Sequence, residues 1–268
     1  MTTDSAIRHR RSSLGTRLAC ATGLVLTALG TATSVQAQAA TAPPRIGVLK
    51  SDGSALVKEG GLSTTWVTEN TDIIQVALAG SRIGVLKSDG SAWVKEGGLS
   101  TNWVLENTDV KQIALSGDRI GVLKANGTAL VKEGGLSATW VTENTDVKQI
   151  ALSGDRIGVL KANGTALVKE GGLSATWVTE NTDVKQIALS GDRIGVLKAN
   201  GTALVKEGGL STSWVTENTD TIQIALAGSR IGVLKSDGTA LVKEGGLSAT
   251  WVTENTDVTQ IALAGGTD

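Results

Sequence analysis

Short runs of β-prone residues separated by turn residues recur along this chain with a fixed period. Between Arg119 and Asp155 the first runs are Ile120 to Lys124 and Thr128 to Glu133, divided by Ala125-Asn126-Gly127. Asn-Gly between two such runs predicts a tight hairpin, because a type I′ turn needs positive φ at both central residues. Gly134-Gly135 breaks the pattern. A third run, Thr139 to Glu143, and a fourth, Val147 to Ser153, then flank the polar turn Asn144-Thr145-Asp146. The whole stretch recurs unchanged from Arg156 to Asp192, and with few changes from Arg45, Arg82, Arg193 and Arg230, so six units of 37 residues fill residues 45–266. A strict period of this length denotes a repeat architecture.

Four short antiparallel strands per unit predict an all-β fold, a six-bladed β-propeller of six four-stranded repeats; a β-solenoid would wind in one direction without a hairpin in every unit. No proline interrupts the repeats, as strands paired on their inner edges require. The run Gln-Ile-Ala-Leu fits the innermost strand, since Ala114, Ala151 and Ala188 are small where blades crowd the axis. The chain then enters at the second strand of a blade, and the run 260–264 is expected to close the ring by pairing with the first repeat.

The residues Val147-Lys148-Gln149-Ile150-Ala151-Leu152-Ser153-Gly154, then Ile157-Gly158-Val159-Leu160, Asn163-Gly164-Thr165 and Trp177-Val178 resemble the tectonin repeat of tectonin and tachylectin-type β-propeller lectins. The resemblance covers all six units. It implies a propeller fold and a lectin-like role. The chain departs from that family in having Ile-Gly-Val where an aromatic residue commonly precedes Gly-Val, and in lacking Tyr and Phe throughout. Sugar-binding residues therefore do not transfer position by position.

The first 44 residues share nothing with the repeats. Arg8, Arg10, Arg11 and Arg17 precede an apolar and small-residue run from Leu18 to Val35, followed by Ala37-Gln38-Ala39. This is the pattern of a secretory signal peptide over 1–39, with 40–44 a short stiff linker at Pro43-Pro44. The segment takes His9, Cys20 and Met1 with it, each the only residue of its type. A secreted chain so processed has no disulfide and is held by packing and hydrogen bonds alone. It keeps 21 basic and 25 acidic residues, evenly distributed over the units. With no basic stripe, nucleic acid is not an expected partner, and no membrane insertion is expected.

Candidate chemistry lies at repeated positions. Trp66, Trp103, Trp140, Trp177, Trp214 and Trp251 occupy one repeat position. Each could pack between blades, burying about 150–250 Å², or serve as a platform for the apolar face of a sugar beside polar neighbours. Asn70, Asn107, Asn144, Asn181, Asn218 and Asn255 are the candidate polar partners. The turn Glu143-Asn144-Thr145-Asp146 is oxygen-rich enough to hold a sugar hydroxyl or Ca²⁺, or to make local side-chain to backbone bonds. Lys132, Glu133 and Arg119 read as solvated strand faces with local ion pairs. Trp93 replaces a leucine of the other units, as residues at a surface or loose margin can. Without His or Cys in the repeats and with every carboxylate copied around the ring, catalysis and cofactors are not expected. The reading is a secreted multivalent carbohydrate-binding protein acting on glycans of a cell surface, wall or matrix. Its rival is a protein-interaction or structural scaffold in which each tryptophan is buried.

Overall fold

The computed structural model describes residues 45–261 and 263, so the expected signal peptide and linker lie outside the described residues. Six antiparallel sheets succeed one another along the chain. The first holds β1 (Arg45–Leu49), β2 (Ala55–Glu59) and β3 (Val67–Asn70), and the second β4 (Ile73–Ala79), β5 (Arg82–Lys87), β6 (Ala92–Glu96) and β7 (Val104–Asn107). The third is formed by β8 (Val110–Ser116), β9 (Arg119–Lys124), β10 (Ala129–Glu133) and β11 (Val141–Asn144), and the fourth by β12 (Val147–Ser153), β13 (Arg156–Lys161), β14 (Ala166–Glu170) and β15 (Val178–Asn181). The fifth comprises β16 (Val184–Ser190), β17 (Arg193–Lys198), β18 (Ala203–Glu207) and β19 (Val215–Asn218), and the sixth β20 (Thr221–Ala227), β21 (Arg230–Lys235), β22 (Ala240–Glu244) and β23 (Val252–Asn255). The fold is the six-bladed β-propeller expected. Each sheet after the first takes its innermost strand from the end of the preceding unit.

Neighbouring sheets meet through their innermost strands, β4 on β8, β8 on β12, β12 on β16 and β16 on β20. Small residues allow the approach. A Cβ on Gly158 would lie 3.0 Å from Ile187 Cδ1 and 3.1 Å from Leu189 Cδ1 of the next sheet. Gly158→Ala is therefore expected to destabilise by about 1–3 kcal/mol through overpacking. Chemical denaturation checks this, and an unchanged midpoint would show that the two sheets slide apart without cost.

Each interface is then tied by polar groups. Gln112 Nε2 donates to Ile150 O at 3.0 Å while Ile150 N donates to Gln112 Oε1 at 2.9 Å, so one side-chain amide replaces a backbone partner across the gap. The same exchange links Gln75 to Ile113, Gln149 to Ile187, Gln186 to Ile224 and Gln223 to Ile261. Arg82, Arg119, Arg156 and Arg193 reach from the second strand of their sheets to the carbonyls of Gly134, Gly171, Gly208 and Gly245 in the following sheet.

The expected closing run 260–264 lies partly outside the described residues, at 262 and 264. Among the described residues β1 pairs with β2 alone, and Ile261 and Leu263 belong to no strand. They pack instead on Gly232 of the sixth sheet, and Gln223 takes the backbone of Ile261. These contacts need only the preceding sheet, whereas pairing with β1 requires both ends of the array to meet. The face of β1 is correspondingly open: Val48 and Leu49 are 38% and 42% exposed, while the equivalent Val159 and Leu160 are fully buried.

Candidate functional site

Lys132 and Arg119, expected on solvated strand faces, have side chains only 2% and 3% exposed, and the Glu106 side chain, a copy of the turn residue Glu143, is 2% exposed beside Lys132. Lys132 lies on β10, and alternation turns it toward the second sheet, where Glu106 projects from β7. The ammonium meets Glu106 Oε2, donates to Leu136 O, and stands 5.1 Å from the centre of the Trp140 ring. Lys95 with Glu69 and Trp103, Lys169 with Glu143 and Trp177, Lys206 with Glu180 and Trp214, and Lys243 with Glu217 and Trp251 repeat the arrangement. In each case the lysine belongs to one sheet and the glutamate to the sheet before it. One cation thus satisfies a carboxylate, a carbonyl and an aromatic face, which makes burial of a charge tolerable.

The tryptophans take part in the same packing. Trp140 rests on the cluster of Leu86, Val94, Ile113 and Ile120 between the second and third sheets. Trp177 does the same between the third and fourth, and Trp214 between the fourth and fifth. Each ring has a lysine over one face, and each is half-buried except Trp66, which is 38% exposed.

The asparagines proposed as partners are not brought to these rings. Asn144 Oδ1 accepts from Thr145 N at 2.9 Å and from Lys161 Nζ at 2.8 Å, closing the turn before β12. Asn107 and Asn181 accept in the same way, and Asn70, Asn218 and Asn255 cap the following backbone N–H. Within one sheet, tryptophan and asparagine stand at opposite ends of the outermost strand, separated by about 13 Å of extended chain. The oxygen-rich turn also loses a member, because Glu143 faces Lys169 instead of the turn. Asp146 supplies its left-handed corner at φ 53°. Among the described residues no group of three or more His, Cys, Asp or Glu could hold a metal, and no helix is long and apolar enough to cross a membrane.

Trp93 pairs with Leu105 across β6 and β7, and its indole N–H donates to Ser91 Oγ at 2.9 Å. It packs on Ala55, Ile73 and Val85, so it fills a margin of the interface between the first and second sheets. In the hairpin turns, Ser54 N donates to Asp52 and holds its carboxyl at about 2, below the usual 3.8. Hydrogen bonds from Ser91 and from Thr239 lower Asp89 and Asp237 in the same way.

No family model matches the chain, and no curated protein is similar to it. Solved structures do resemble it. Prp20p from Saccharomyces cerevisiae, described with its binding properties to Gsp1p and histones, aligns with a TM-score of 0.66 at 10% identity over 84% of this chain and 79% of that one. Human WBSCR16 aligns with a TM-score of 0.61 at 14% identity, covering 72% and 70%. Yeast RCC1 (Prp20) bound to Kap60 gives 0.60 at 13%, covering 72% and 66%. At these identities the likeness is one of fold, a β-propeller of repeated blades.

Proposed function

We propose that the chain is a multivalent protein-interaction scaffold, the blades supplying repeated contact surfaces and the tryptophans holding them together. The observation that carries this reading is the buried lysine lying over each indole, which occupies a ring face that a sugar platform would have to offer. What the blades leave open is the outermost strand. Val104, Val141, Val178 and Val215 are 37–39% exposed on strands that pair on one edge only. Such an edge accepts an added extended segment through backbone hydrogen bonds, with side-chain contacts giving selectivity. Prp20p, similar in fold and described with its binding to Gsp1p and histones, supports a protein partner. Export directed by residues 1–39 is part of the proposal and places the scaffold outside the cell. One observation favours glycan binding as a second reading: Trp66 remains 38% exposed at the uncovered first sheet.

The test uses the chain from residue 45 onward against a library of displayed peptides and, in parallel, a glycan array. Peptides are expected whose binding is lost when Val141, Val178 and Val215 are changed to aspartate, with the melting temperature unchanged. Sugar binding abolished by tryptophan substitution, again without loss of stability, would overturn the scaffold reading.

A further inference from the structure

Among the differences between units, those at one end of the propeller accumulate on one side of it. At the start of each innermost strand the ladder slips: Val147 pairs with Lys161 and Gln149 with Leu160, leaving Lys148 as an unpaired bulge residue. A bulge re-aims one side chain out of the sheet. The equivalent residues are Ile74, Lys111, Lys185 and Ile222, all exposed. Lys148 Nζ leans toward Val184 O of the next strand at 3.4 Å, and Lys185 Nζ toward Thr221 O at 3.3 Å. Lys111, Lys148 and Lys185 thus stand on three consecutive innermost strands, neighbours that approach within 8 Å between Cα atoms.

A second change coincides with the first. The hairpin turn at the same end carries Asp89 and Asp237 in the second and sixth sheets but Asn126, Asn163 and Asn200 in the third, fourth and fifth. In those three sheets two lysines face one aspartate at this end, for example Lys148 and Lys161 against Asp146. In the sheets on either side one lysine faces two aspartates, as Lys87 does Asp72 and Asp89. The result is a basic sector bounded by acidic turns and, at the bulge position itself, by Ile74 and Ile222, which are 55% and 49% exposed.

We propose that this sector binds an acidic peptide of a partner protein, its carboxylates on Lys111, Lys148 and Lys185 and an apolar side chain on Ile74 or Ile222. The proposal rests on the scaffold reading only in taking the partner to be a protein. An extended chain places alternate side chains about 7 Å apart, comparable with the Cα approach within 8 Å of the neighbouring strands that carry the lysines. The aliphatic flanks suit a peptide, since nucleic acid and sulfated polysaccharide carry no aliphatic side chain, and the acidic turns oppose a long uniform polyanion.

The probe is a fluorescent peptide of about nine residues with glutamate at alternate positions and a leucine at each end, read by anisotropy on the chain from residue 45 onward. Replacing one of the three lysines by serine should weaken binding about two- to fivefold, and replacing all three about tenfold or more. Lys87→Ser and Lys235→Ser should change it little, and binding should weaken as salt rises. All three lysines are exposed, so the melting temperature should hold. Equal affinity in the triple variant, no measurable binding, or tighter binding of a sulfated oligosaccharide or single-stranded DNA than of the peptide would each overturn the assignment. Peptides bound to the outer strands are unaffected by these variants, so failure here leaves the scaffold test standing by itself.

Discussion

Glu143→Gln is expected to cost about 3–5 kcal/mol, because it leaves the Lys169 ammonium buried beside a neutral amide. The side chains of both partners are 2% exposed, and Glu143 Oε1 is buried without a hydrogen-bond partner, so no solvent stands ready to replace the lost charge. For a domain of this size the melting temperature should fall by roughly 6–20 °C. Removing both charges, with Lys169→Met added to Glu143→Gln, should recover most of the loss, since an apolar chain of similar length needs no counter-charge. A single variant that melts within a degree of the parent would mean that water reaches the pair, and the account of the interface as a buried ion pair would fail.

Trp177→Ala should be nearly as severe, about 3–4 kcal/mol, from the cavity left between the third and fourth sheets. The ring lies on Val131, Ile150 and Val159 and takes the Lys169 ammonium on its face. Because the two substitutions strip the same lysine, their combined effect should be smaller than the sum of the two. Strict additivity would separate the indole from the ion pair. A tryptophan variant of full stability would return the six indoles to the status of exposed platforms.

The repeat period and the Asn-Gly and Asp-Gly hairpins make the number of sheets, their antiparallel order and the inner position of Gln-Ile-Ala-Leu legible in the sequence alone. Those features are local, although the turns are not the type I′ expected: of each Asn-Gly pair only the glycine has positive φ, 86° at Gly127 and 85° at Gly164. Lys132 and Glu106 were not legible as a pair. They lie in different units, and a charged residue on a strand normally faces water unless a partner from elsewhere meets it. The evenness of charge along the sequence likewise hid the basic sector. The units that gain Lys148 and Lys185 at one end also carry Asp155 and Asp192 at the other, so the totals cancel while the positions do not. Only the bulge, which is a property of pairing, shows where Lys148 is aimed.

The uncovered ends carry a consequence for how such a gene can change. Lys58 is 8% exposed and lies over Trp66 with no carboxylate among the described residues, while Glu254, the copy of Glu217, is exposed and unpaired among them. The first and last sheets thus present the two halves of a contact that occurs five times inside the molecule. An unequal exchange that inserts or deletes one whole unit in frame creates no new kind of interface: the incoming lysine finds a glutamate before it, and the incoming glutamate a lysine after it. The same property explains how two neighbouring units can be identical residue for residue and still both fit.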